Sequence, residues 1–219
     1  MTHDAGAGDQ RVYHSHTVER ALTRVKDGIV WNVGTQADVD WITNNTPGRW
    51  ITRAIPPIFE AYATLAQPGA PGRSRDLGEE RKQDLALIEL LERHTAKQPW
   101  WLGYLDTGAS DVVFSDAPKV MVYLPVTWKY VLVQAGPEQA VTWRPARDGK
   151  RNWKSSELPD LMFPDDHTWL ISTLWDDDWA CIGGSEGMIA DLLHDPLLGR
   201  NARRVTPEED DTPPGHADR

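Results

Sequence analysis

Trp169-Leu170-Ile171-Ser172-Thr173-Leu174-Trp175, followed by Asp176-Asp177-Asp178 and Trp179-Ala180-Cys181-Ile182-Gly183-Gly184-Ser185, is the stretch on which the fold class turns. Trp169, Ile171, Thr173 and Trp175 alternate with Leu170, Ser172 and Leu174, the two-residue period of a strand. A second strand through Trp179, Cys181 and Ile182 follows the three aspartates, so the whole reads as a hairpin with an acidic tip. Gly183-Gly184-Ser185 then turns the chain into a helix. Ser185 is its N-cap, Met188, Ile189, Leu192 and Leu193 share its inner face, and the pattern stops before Pro196.

Upstream of this unit the period stays strand-like. Clusters of β-branched and aromatic residues at 112–114, 119–123, 129–133 and 140–143 predict successive strands, with turn chemistry at Gly136-Pro137. Trp128, Tyr130 and Leu132 alternate on one face, as in a half-buried antiparallel sheet. The basic, polar stretch 144–154 predicts a surface excursion before 158–163 returns to the core. Toward the N-terminus the period becomes helical. Leu87, Ile88, Leu90 and Leu91 form a wide apolar face opposite Lys82, Glu89 and Arg93, with Glu89 and Arg93 at a supportive spacing. A helix is expected over 57–66, from Ile58, Tyr62 and Leu65 behind Pro57. Another is expected from Val18, Ala21, Leu22 and Val25, begun by Thr17 and ended by Gly28. Ile29 to Val33 reads as a strand, Val39, Trp41 and Ile42 fit either period, and the Pro- and Gly-rich stretch 67–78 reads as an exposed mobile loop.

These elements add up to an α+β fold: one domain with a largely antiparallel twisted sheet, a meander plus the C-terminal hairpin, packed with three to four helices. The expected boundaries are a flexible arm at 1–12, the domain at 13–204 and an acidic disordered tail at 205–219, which contains Glu208, Glu209, Asp210 and Asp211. No fixed-period repeat is visible.

Composition narrows the function classes. A net charge of −10 and scattered basic residues argue against nucleic-acid binding. The longest apolar runs fall well short of the roughly 20 residues that cross a bilayer, and the first ten residues lack a signal peptide's basic head and apolar middle, so cytoplasmic residence is expected. Cys181 is the only cysteine, which leaves neither an intrachain disulfide nor a thiolate zinc cluster.

Eleven tryptophans in 219 residues exceed the usual demand of a core, and part-exposed indoles are typical anchors at binding surfaces. Trp100 and Trp101 are adjacent, so in a strand they point to opposite faces, and one is expected to face a ligand or partner with Tyr104 and Asp106. Trp175, Asp176, Asp177, Asp178 and Trp179 place negative charge beside apolar surface. The aspartates lack the ligand spacing of a calcium loop. Asp165, Asp166 and His167 are residue types used in acid–base or metal chemistry, and His14 with His16 make at best a two-ligand site. Cys181 alternates in phase with Trp179 and reads as a small buried hydrophobe. Gly183-Gly184-Ser185-Glu186 lacks a phosphate loop's lysine. No nucleotide fingerprint, nucleophile elbow, zincin helix or kinase set is present.

The expected function is therefore non-enzymatic protein binding through an acidic, Trp-rich surface, with no cofactor and with a basic protein as the partner the charge suggests. Bacterial immunity proteins share this general character of small, acidic, cytosolic α+β proteins. No motif is matched residue by residue, so the chain reads as immunity- or adaptor-like. Two alternatives stand beside it: a metal-dependent hydrolase with Asp165, Asp166, His167 and Asp176 to Asp178 in one cleft, and a small-molecule binding module with Trp100, Trp101 and Tyr104 lining an aromatic pocket.

Overall fold

The computed structural model describes residues 22–44, 48–68, 77–108, 112–122, 128–144, 158–174, 177–214 and 216. Its strands are β1 Leu22–Lys26, β2 Ile29–Val33, β3 Ala61–Ala66, β4 Trp100–Leu105, β5 Val120–Val122, β6 Trp128–Ala135, β7 Leu161–Pro164, β8 Leu170–Ser172, β9 Trp179–Gly184 and β10 Ala202–Val205. Its helices are α1 Asp40–Thr43, α2 Leu77–Arg93, α3 Pro137–Thr142 and α4 Glu186–His194, with a 3-10 turn at Trp50–Arg53. All ten strands join one antiparallel sheet in the order β1-β2-β6-β4-β7-β8-β9-β3-β10, and β5 shares an edge of β6 with β2. This is an α+β fold built on an open antiparallel sheet. Chain neighbours pair in β1–β2, β5–β6 and β7–β8–β9, whereas β3 and β4 are inserted out of chain order.

Both faces of the sheet are covered. On one, α2 and α4 lay Leu87, Leu90, Leu91, Met188, Ile189 and Leu192 over Ala63, Leu65, Trp100, Leu102, Ile171 and Ile182. On the other, Val39 and Ile42 with Ile51, Ala54 and Ile55 cover Tyr62, Trp101, Leu132, Phe163, Leu170 and Trp179. Helix α4 is capped as expected, with Ser185 Oγ accepting from Met188 N at 3.2 Å. Helix α2 carries the expected Glu89–Arg93 pair at 3.6 Å.

Four local expectations are corrected. Leu22 and Val25 are not helical. They lie in β1, which returns as β2 through Asp27-Gly28, both at positive φ (55° and 76°). A two-residue Asp-Gly loop is the strongest short hairpin signal, and it outweighs a weak helical spacing. Within 57–66 the chain forms β3, all six residues buried between β9 and β10, because a short run buried on both faces shows no alternation to distinguish it from a helix. Ala140, expected in a strand, lies in α3, which starts with Pro137 at its first turn and Gln139 Oε1 accepting from Gly136 N at 3.0 Å. Residues 112–114 form a turn with Phe114 at φ 52° rather than a strand.

The expected excursion also differs. Arg144 is buried, not part of a surface excursion. It pairs with the buried Asp160, donates to Leu158 O at 2.7 Å and sits over the Tyr104 ring at 5.3 Å. Asp160 in turn accepts from Leu105 N at 2.8 Å, so the charge pair is both matched and hydrogen-bonded, as burial requires. Within the stretch 205–219 expected as tail, Val205 ends β10, and Asp211 and Thr212 are buried. Residues 145–154 of the expected excursion, residues 69–76 of the expected loop and the whole arm 1–12 lie outside the described residues.

Candidate functional site

The acidic hairpin tip does not stand alone in water. After Gly48 (φ 89°), the 3-10 turn begins with Trp50 in the left-handed region (φ 51°), a conformation that costs an L residue energy and clusters at functional positions. Arg49 lays its guanidinium over the Trp50 indole at 5.0 Å. One turn on, Arg53 reaches Asp177 Oδ2 at 3.7 Å and Asp211 Oδ2 at 3.5 Å. The side chains of Asp177 and Asp211 are only 4% and 5% exposed, against 40% for Arg53, so the carboxylates are enclosed and the guanidinium is the wet partner.

The other wall comes from the segment after β10, which folds back. Asp210 Oδ1 accepts from Thr212 N at 2.7 Å, and these Thr212 hydrogen bonds hold its carboxyl below the usual range. Arg203 donates to the Asp210 carbonyl. His216 packs edge-to-face on Trp179 at 5.5 Å, its Nε2 at 3.0 Å from Asp178 Oδ1 but without hydrogen-bond alignment. Between the walls opens a cleft of about 260 Å³, lined by Gly48, Arg49, Trp50, Arg53, Trp179, Asp210, Asp211 and Thr212. Its lining holds two carboxylates, Asp210 and Asp211, and two guanidiniums, Arg49 and Arg53, while Asp177 is enclosed behind Arg53.

Cys181 lies beneath this cleft with Sγ at 3.9 Å from Asp211 Oδ2. Burial first, then the negative charges of Asp211 and Asp177, push its thiol pKa well up, which disfavours the thiolate a nucleophile needs.

The residues singled out from the sequence separate into distinct places. Trp179 lines the cleft, Asp177 and Asp178 lie behind it against Arg53 and His216, and Trp175 and Asp176 lie outside the described residues. Trp100, Trp101 and Tyr104 are 2%, 9% and 0% exposed, so the expectation that one of the paired indoles faces outward is corrected. The pair does point to opposite faces, but each face has its own layer. Trp100 packs on Trp169 at 4.9 Å, and Trp101 stacks near Phe163 at 6.4 Å. Tyr104 shares the Trp100 face, so the three rings do not line a common pocket. Asp106, at the end of β4, holds Lys119 at 3.5 Å and caps Gly108 N at 3.1 Å, three strands away from β9.

Asp165, Asp166 and His167 form a turn at the Leu170–Gly183 end of the β8–β9 ladder, whereas Asp177 and Asp178 precede β9 at its other end. The single cleft required by the hydrolase alternative is therefore not assembled from the described residues. Each carboxylate in the turn already has structural partners: Asp165 accepts from Trp101 Nε1 at 3.1 Å and Gln134 Nε2 at 3.2 Å, and Asp166 from Gln98 Nε2 at 2.7 Å and Thr168 Oγ1 at 2.8 Å. His167 stacks on Trp41 at 4.3 Å. Among the described residues no group of three or more His, Cys, Asp or Glu side chains is placed to hold a metal ion.

Arg49, Trp50, Arg53, Asp210 and Thr212 carry most of the cleft, and sequence reasoning missed them. The available signal was Pro47-Gly48 just before Arg49-Trp50, a breaker followed by an indole, while Asp210 and Asp211 were hidden inside a stretch whose composition reads as tail. No protein-family model, curated protein or solved structure matches the chain.

Proposed function

We propose that this chain is a non-enzymatic protein-binding protein, immunity- or adaptor-like, that receives a basic segment of its partner in the cleft between Trp50 and Asp211. The observation that carries the reading is the cleft's own make-up: a part-exposed indole held in a left-handed backbone, sharing one cleft with the carboxylates of Asp210 and Asp211. Indoles supply large contact area at low entropic cost, and the part-exposed Asp210 offers a Lys- or Arg-bearing partner a charge of opposite sign. The overall charge of −10 acts in the same direction and steers basic partners on approach. No described helix is long and apolar enough to cross a membrane, and the reading places the protein in the cytosol.

Site-specific photo-crosslinking in the native cytosol tests this, with the crosslinker at position 50 and, as control, at Glu89 on the exposed face of α2. A discrete product from position 50 that is absent from position 89 and fades with added salt is the expected result. Equal products from both positions, or none from position 50, would overturn it. With the partner in hand, Trp50→Asn, which suits the left-handed backbone, is expected to weaken binding about 30-fold, the roughly 2 kcal/mol of an indole hot spot.

A further inference from the structure

The sheet has two ends, and the protein treats them differently. The β10 end is short and charged: Arg203 is engaged by the returning Asp210 carbonyl and Arg204 by Glu186. Such charges, with a strap alongside, protect an edge from foreign strands. The β1 end carries charges too, Arg24 and Lys26, but they are drawn to Asp116 and Asp27. Strand β1 pairs only with β2 among the described residues, contains no proline, and its Arg24 is drawn sideways to Asp116 at 3.1 Å.

This hairpin is also the most apolar exposed part of the surface. Leu22, Val25, Ile29 and Val30 are 40%, 66%, 51% and 63% exposed, half of the eight large apolar side chains that stand exposed among the described residues. Val25 and Val30 are direct cross-strand partners. Because Asp27-Gly28 is a two-residue loop, Lys26 and Ile29 form its hydrogen-bonded pair. By alternation Val25 and Val30 are a non-bonded pair, so the N–H and C=O of Thr23 and Val25 point outward from the sheet. The Thr23 carbonyl confirms this direction by accepting from Arg24's own guanidinium at 2.9 Å. Beside the same edge opens a second cavity of about 380 Å³, lined by Val25, Lys26, Val112, Val113, Phe114 and Trp143, with Phe114 held at φ 52°.

Outward-pointing backbone donors and acceptors next to an apolar pocket are what strand addition uses: main-chain bonds give affinity, and pockets for alternate side chains give specificity; here the Arg24 guanidinium on Thr23 O would be displaced. A strand laid along β1 would set one side chain beside Val25 and the next beside Arg24 and Lys26. Its complement therefore alternates apolar with acidic residues, whose carboxylates would exchange for the exposed Asp116 and Asp27 now paired with Arg24 and Lys26. A second copy of this chain fits poorly, because antiparallel pairing of Leu22–Lys26 with itself centres Arg24 on Arg24, and like charges directly opposite are destabilising. We propose that the outer edge of β1 is a strand-addition site for an extended segment of another protein in which apolar and acidic residues alternate. The site is independent of the cleft and stands or falls separately.

The test uses the full-length protein and a short synthetic peptide alternating valine and glutamate, with a valine–lysine peptide as control. In the wild type, adding the valine–glutamate peptide is expected to slow hydrogen exchange at the Thr23 and Val25 amides about tenfold or more and leave Arg203 and Arg204 unchanged. Val25→Pro removes an outward N–H without touching the β1–β2 ladder and is expected to weaken peptide binding at least about tenfold. If that variant misfolds, the wild-type exchange measurement still decides. No slowing at β1, equal slowing by the valine–lysine peptide, or equal slowing at β10 would each overturn the proposal. So would concentration-dependent dimerisation that Val25→Pro abolishes, since the occupant would then be a second copy.

Discussion

His167 combines a left-handed backbone (φ 57°) with a ring stacked on Trp41 and edge-on to Phe163 at 5.6 Å. Burial among these rings lowers its pKa from the usual value of 6.5, against the opposing pull of Asp165, Asp166 and Asp38. A lowered pKa means that the unfolded chain binds the proton more readily, so this group's contribution is complete above pH 6.5 and is lost as pH falls toward the depressed value. Wild-type stability is therefore expected to decline on acidification from neutrality in a way that His167→Asn, which keeps the backbone geometry but cannot titrate, does not reproduce. Urea midpoints measured at pH 7.5 and pH 5.5 compare the two. Parallel curves would mean that the ring is protonated as easily in the fold as in the free chain. Residue types at 165–167 were legible as acid–base candidates, but their hydrogen bonds to Trp101, Gln98 and Gln134 depend on strands far off in sequence.

At the level of elements, legibility followed periodicity. Helices α2 and α4 carry one-face patterns, and strands β2, β8 and β9 are marked off by turn or polar residues at their ends, so they were readable. Strand β3 was not, since Tyr62 and Leu65 have helical spacing and only pairing with β9 and β10 makes the segment a strand. Gly183 shows the same effect in reverse. It reads as the start of a turn, yet it lies inside β9 opposite Tyr62. A Cβ there would meet Phe59 at 2.4 Å and Ile55 at 2.6 Å, so the absence of a side chain lets the 51–59 segment settle onto the sheet. Gly183→Ala is expected to cost about 1–3 kcal/mol through overpacking, read as a lower urea midpoint at unchanged slope. An unchanged midpoint would show that this layer is loosely seated.

Across the whole molecule, the segment after β10 joins parts that are distant along the chain. Asp211 meets Arg53 and Cys181, and His216 rests on Trp179. Removing residues 206–219 is expected to lower stability by about 1–3 kcal/mol, because Trp179 loses the His216 ring and Arg53 loses one of its two carboxylates. The same truncation should speed amide exchange in β9. A truncated protein as stable as the full chain would restore the disordered-tail reading. Local pattern by itself determined the α+β class, the C-terminal hairpin and its capped helix, because period, cap and turn residues act over a few neighbours. Which of the described indoles are covered, and what Asp177 and Asp178 pair with, were decided only by tertiary structure. Those outcomes depend on segments from remote parts of the chain competing for the same faces, and no local spacing records the winner.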